Sequence, residues 1–113
     1  MNGRWVNVDP NTRSLVEIGI DGLKIHPYGS CHPTACDWGI IQGKSIGKNV
    51  RPSAPTALVA RKITNFDWTE IRLSLASDGK LRAELFTHFT DHSGRADRRT
   101  VDLFTRSRAP VVP

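Results

Sequence analysis

The stretch from Trp68 to Phe89 reads WTEIRLSLASDGKLRAELFTHF. Its first half sets Ile71, Leu73 and Leu75 against Trp68, Glu70, Arg72 and Ser74. Its second half sets Leu81, Ala83, Leu85, Thr87 and Phe89 against Arg82, Glu84, Phe86 and His88. Successive strand side chains point to opposite faces, so a repeat of two marks a strand with one face buried. Between the halves lies Asp78-Gly79, and both residue types tolerate the positive φ that a two-residue hairpin turn demands. The stretch therefore reads as an antiparallel hairpin.

The same period extends in both directions, and no window carries helical spacing. Residues 4–9 alternate Trp5, Asn7 and Asp9 with Arg4, Val6 and Val8. Residues 15–20 place Val16, Ile18 and Ile20 together, and residues 23–28 pair Leu23 with Ile25. Residues 37–42 contribute Trp38 and Ile40, and residues 57–63 contribute Ala57, Val59 and Ile63. Residues 99–106 close the series with Val101 and Leu103 inward and Asp102, Phe104 and Arg106 outward. That makes eight strands. Short turn signals at Asp9-Pro10-Asn11-Thr12, Asp21-Gly22 and Asp91-His92-Ser93-Gly94 leave no room for crossovers, so the strands form an antiparallel meander. An open meander exposes two edges, and closure removes them. The expectation is a single all-β domain over residues 1–106, an eight-stranded antiparallel up-and-down barrel, with residues 107–113 as a tail.

Alternate turns of such a barrel share an end. The turns at 10–13, 29–36, 64–67 and 91–97 then form one mouth, and the Asp-Gly turns and the loop Gly43–Pro55 form the other end. The inward residues are almost all Val, Ile, Leu, Ala and Phe, which argues for a filled interior or a small apolar pocket.

At 113 residues, with 38% hydrophobic and 24% charged residues, the chain suits one core that needs no metal. No apolar run is long enough to cross a bilayer as a helix, and residues 1–10 lack the plan of a secretory signal. The net charge of +5 is uneven: Trp38 to Phe66 holds no acid and the five cations Lys44, Lys48, Arg51, Arg61 and Lys62. These five are the candidates for a basic surface that attracts nucleic acid or another anionic polymer. A solvated face that blunts sheet edges accounts for them as well, and is the favoured reading.

Two resemblances follow from particular residues. Gly3-Arg4-Trp5-Val6-Asn7 resembles the G-x-W-x-N of avidin first strands, and G-x-W recurs in lipocalins. Both belong to the calycin group of eight-stranded barrels, which implies a calycin-like fold here. More of the chain, from Gly3 to Arg106, resembles a group of small, mostly uncharacterised bacterial domains. Their marks are W-x-N-x-D, here Trp5, Asn7 and Asp9; G-x-C-x-P-x-x-C-D-W-G, here Gly29 to Gly39; and D-x-S-G-R, here Asp91 to Arg95. This likeness implies architecture and no activity. The later-strand tryptophans of the avidin ligand site have no counterpart, so biotin is not implied.

The motif Gly29 to Gly39 concentrates the reactive side chains. Cys31 and Cys36, with four residues between them, can close a disulfide. Free thiols, or a metal site recruiting His32 and His92, are the alternatives; the spacing is not C-x2-C and no second cysteine pair exists, so the disulfide is preferred and no metal or cofactor is assigned. A bridge would place the chain in a secreted or periplasmic setting, free thiols in the cytoplasm. Gly39 to Ser45 lacks the spacing and the helix of a phosphate-binding loop. No carboxylate pair or histidine stands in an enzymatic context, so the expected role is a non-enzymatic binding or interaction module. The residues do not identify its partner: a small molecule, a glycan or a protein is favoured over nucleic acid, no membrane is expected, and a purely structural domain is a further alternative. The candidate ligand contacts at the mouth are His32, Asp37, Trp38, Asp67, His92 and Arg95, with Arg95 expected to pair across it with Asp37 or Asp67. Trp5 is expected to plug the barrel floor.

Overall fold

The computed structural model describes residues 1–31, 34–46 and 57–107. His32, Lys48, Arg51, most of the loop Gly43–Pro55 and the tail beyond Ser107 lie outside the described residues. The regular structure is one antiparallel sheet of ten strands, with no helix among the described residues. Its strands are β1 (Gly3–Asn7), β2 (Leu15–Asp21), β3 (Lys24–Gly29), β4 (Cys36–Asp37), β5 (Ile41–Gln42), β6 (Lys44–Ser45), β7 (Ala57–Ile63), β8 (Asp67–Leu75), β9 (Leu81–Phe89) and β10 (Arg98–Arg106). They pair in the order β4-β3-β2-β1-β10-β9-β8-β7-β6, with β5 also on β3.

The first and last long strands, β1 and β10, lie side by side, so the strand path ends at β4 and β6 rather than at the chain's first and last strands. The count is ten rather than eight, for two local reasons. The expected strand 37–42 breaks at Gly39, whose φ of +79° cannot continue a strand, leaving β4 and β5. Lys44–Ser45, expected in a loop, pairs with Val59 and Leu58 of β7. The hydrogen-bonded ladder does not close, and its open point falls along residues 41–45. There β5 pairs with β3, β6 pairs with β7, and the intervening Gly43 N–H donates to the Leu23 carbonyl at 2.7 Å. A Cβ at Gly43 would sit 2.9 Å from that oxygen, so only glycine allows the close approach.

One face of the sheet carries the core, including Trp5, Leu15, Ile18, Ile25, Leu58, Ile71, Leu73, Leu81, Ala83 and Phe104. The Trp68–Phe89 strands pair as read, Ile71 opposite Leu85 and Leu73 opposite Ala83. The turn, however, is longer than two residues, the Ala76 N–H donating to the Lys80 carbonyl and only Gly79 taking positive φ; Leu75 at the strand end is exposed. Trp5 is buried and its indole N–H donates to the Met1 carbonyl at 2.9 Å. Ile18 stands opposite Trp5, and Phe104 opposite Asn7 on the same side.

Three strand phases differ from the sequence reading. In β2 a register shift between Leu15 and Glu17 turns Leu15 into the core in place of Val16, as a bulge does. In β7, pairing with β8 sets Leu58 opposite Leu73 and Ala60 opposite Ile71; Leu58 and Ala60 are buried, and Ile63 is 73% exposed. In β10, Phe104 faces Leu81 and is fully buried, leaving Val101 and Leu103 outside. Both strands hold apolar residues on each phase, so the neighbour's register decides which set is buried.

Candidate functional site

The turns expected at one end are built by short side-chain-to-backbone bonds. At the first, Asp9 Oδ1 accepts from the Asn11 N–H at 2.9 Å. In β1, Asn7 Nδ2 donates across to the Leu15 carbonyl at 2.9 Å while its Oδ1 accepts from the Asp9 N–H at 2.8 Å. At residues 64–67, the Thr64 hydroxyl donates to Asp67 Oδ1 at 2.6 Å, and the adjacent Phe66 carbonyl accepts from the Thr90 N–H at 2.8 Å. The second loop is tied to the first through the Ser30 N–H and the Ser14 carbonyl, 3.0 Å apart.

In that second loop Cys31 and Cys36 are joined by a disulfide, with Cα atoms 5.4 Å apart. Gly29 pairs with Cys36 across β3 and β4. The following tryptophan, Trp38, lies against Gly29: a Cβ there would be 2.8 Å from the indole nitrogen. The Trp38 N–H donates to the Pro27 carbonyl at 3.1 Å, and the Lys62 ammonium stands 4.8 Å from the ring centroid. Lys62 shares the phase of Leu58 and Ala60, so it faces inward.

Asp37 points the other way. Its Oδ1 accepts from His26 Nε2 at 2.6 Å and from the Gly39 N–H at 2.7 Å, and these bonds, the histidine's first, hold its carboxyl below the ordinary range. His26 stacks on Tyr28, ring centroids 4.5 Å apart. Asp37 thus pins the loop from outside.

The motif Asp91 to Arg95 folds into a self-contained clasp. The Ser93 N–H donates to Asp91 Oδ1 at 3.1 Å; Arg95 donates to Ser93 Oγ at 3.0 Å and to Asp91 Oδ2 at 2.7 Å. The guanidinium also lies 3.9 Å from the centroid of the Phe89 ring. Arg95 therefore pairs with Asp91, not across the mouth with Asp37 or Asp67. Hydrogen bonds from Ser93, followed by the bond and charge of Arg95, pull the Asp91 carboxyl down to about 2. Because the folded value lies below the unfolded one, the clasp contributes fully above about pH 4 and is lost as the pH falls through about 2. An NMR titration of the Asp91 side-chain carbon is expected to give a midpoint near 2, with the Ser93 and Arg95 amides moving in step; a midpoint near 4 would refute the clasp.

Between these turns opens a cavity of about 300 Å³. One wall is the inward phase of three neighbouring strands: Asp67 and Thr69 from β8, Leu85, Thr87 and Phe89 from β9, Arg98 and Thr100 from β10. The rest comes from Arg13, Ser14, Trp38 and Arg95. Three of the four turns supply lining directly, as Arg13, Asp67 and Arg95, and the segment leaving the 29–36 turn supplies Trp38. Thr69 and Thr87, cross-strand neighbours, bond to each other at 2.9 Å. Below Thr100 on the same phase, Asp102 has one buried carboxylate oxygen without a partner among the described residues.

Three of the six candidate contacts, Trp38, Asp67 and Arg95, thus meet at the cavity. Asp37 does not line it, nor does His92, which is exposed with φ of +59°. The polar part of the lining was not legible as a set. Arg98 and Thr100 were hidden by the reversed phase of β10, so an interior read as apolar carries hydroxyls and a guanidinium at its upper end. The inward threonines Thr69 and Thr87 were the available signal.

The basic candidates divide between faces. Arg61 is on the outer face, 4.4 Å over Trp68 and 3.9 Å from Glu70; Lys62 is on the inner one; Lys44 is exposed on β6. Among the described residues no group of three or more His, Cys, Asp or Glu side chains converges as a metal site, and no helix is long and apolar enough to cross a membrane. No protein-family model, curated protein or solved structure matches the chain.

Proposed function

We propose that this chain is a non-enzymatic binding module that holds a small molecule in the cavity between its four turns. The observation that carries the reading is convergence: three turns and the segment leaving a fourth, all distant in sequence, supply lining to one concavity, whose size is that of a ligand pocket. The rim is held by the disulfide, the Asp91 clasp and the Thr64–Asp67 bond, so the site is organised before a ligand arrives, which lowers the ordering cost of binding. On this reading the sheet rolls into a calycin-like barrel, with residues 41–45 as the seam between β3 and β7. The disulfide favours an oxidising compartment. A polymer-binding basic surface has less support, since Arg61 and Lys62 face opposite ways.

Screening a fragment library against the 15N-labelled protein tests the reading. The amides of Ser14, Trp38, Thr69, Thr87 and Thr100 are expected to shift together. Shifts confined to Lys44–Ile46 and the opposite end would refute it.

A further inference from the structure

Resting on that binding reading, we infer that the cavity takes a small organic carboxylate with a flat apolar body, its head held by Arg13 and Arg98. The lining has three guanidinium groups and one carboxylate, Asp67. They are not equivalent. Arg95 is already engaged by Asp91 and Ser93 and lies on Phe89, so it forms wall. Asp67 accepts from Thr64. Arg13 and Arg98 make no ion pair or side-chain hydrogen bond with any described residue, although salt bridges engage most other arginines of the chain. Each brings five N–H donors in a planar fork to the same concavity, and that fork matches a carboxylate.

The remaining lining sets the body of the ligand. Trp38, Leu85 and Phe89 offer apolar and aromatic surface suited to a flat ring. Ser14 and Thr100 add hydroxyls, whereas those of Thr69 and Thr87 satisfy each other. Lys62, 4.8 Å from the centroid of the Trp38 ring, reinforces the positive field without entering the lining. A cation would have the single carboxylate of Asp67 to set against the two unpaired guanidinium groups, too little to offset its lost hydration. The acid at Asp67 disfavours a doubly charged head, and the volume excludes a polymer.

Titrating the labelled protein with 2-naphthoate, 2-naphthamide and inorganic phosphate separates the parts of this inference. 2-Naphthoate is expected to shift the lining amides saturably and to bind at least about tenfold more tightly than the amide, as hydrogen bonds from two guanidinium groups to a charged head allow. The double variant Arg13→Gln/Arg98→Gln should erase that preference by weakening 2-naphthoate at least about tenfold and 2-naphthamide much less; both residues are exposed, and the variant's amide spectrum verifies its fold. Equal affinity for acid and amide, both at the cavity, overturns the charge selection but leaves the binding reading intact. Phosphate binding as tight as 2-naphthoate overturns the apolar body. If 2-naphthoate shifts no lining amide, the inference falls, and the fragment screen decides separately on the cavity.

Discussion

Trp5→Ala lowers the free energy of unfolding by about 3–5 kcal/mol, the range for truncating a buried aromatic side chain. Trp5 is 1% exposed, stands opposite Ile18, and belongs with Phe104 to the buried core. Three losses combine. The removed indole leaves a cavity that the strand backbones, fixed by hydrogen bonds to β2 and β10, cannot collapse to fill. The Met1 carbonyl loses its donor. The Arg106 guanidinium, 4.4 Å from the ring centroid, loses the aromatic face beneath it. Against a typical total of about 5–15 kcal/mol, such a loss brings the domain close to unfolding. In urea the midpoint should fall while the slope holds, because the same surface is exposed on unfolding. Trp68→Ala is the control. Trp68 is also ringed by contacts, with Phe86 5.7 Å, His88 5.5 Å and Arg61 4.4 Å away, but it stands on the outer face, half-buried. Its truncation should cost about 1 kcal/mol, the scale of an exposed aromatic and cation–π cluster. Equal costs for the two would mean that the inward and outward faces have been misassigned.

The contrast between these tryptophans shows how far alternation alone can be taken. Where one phase is apolar and the other charged, as in β8 and β9, sequence states both the strand and its buried face, since reversing it would bury Glu70, Arg72, Arg82 and Glu84. In β10 the apolar residues Val101, Leu103 and Phe104 straddle both phases. Only pairing with Leu81 decides that Phe104 is inside, and that decision also carries Arg98 and Thr100 to the cavity. The placement of the candidate site was legible for a different reason. It follows from which turns share an end, which depends on strand parity and survives an error in phase. The identity of the unpaired cations did not follow, because Arg95 and Arg98 are indistinguishable in sequence until Asp91 is seen to claim the first.

Gly29→Val should both destabilise the domain, by about 1–3 kcal/mol as overpacking does, and weaken 2-naphthoate binding by about tenfold, the factor that corresponds to about 1.4 kcal/mol. The direction is the opposite of what strand propensity gives. Gly29 lies in β3 with no positive φ, and valine is a better strand residue than glycine. Space, not backbone strain, is the obstacle. A Cβ would lie 2.8 Å from Trp38 Nε1 and 3.5 Å from Cε2, so the indole must move. It cannot move freely: the Trp38 backbone N–H is bonded to the Pro27 carbonyl, the disulfide fixes the chain two residues before it, and Lys62 stands over the ring. Displacing the ring shifts one wall of the cavity, which ties the stability change to the binding change. A double-mutant cycle with Trp38→Ala isolates the clash. Removing the indole leaves valine nothing to meet, so the cost of Gly29→Val should largely vanish in that background, or turn into a gain as propensity reasserts itself. An undiminished cost would show that β3 requires glycine for some cause other than the ring, and that Trp38 does not take its position from Gly29.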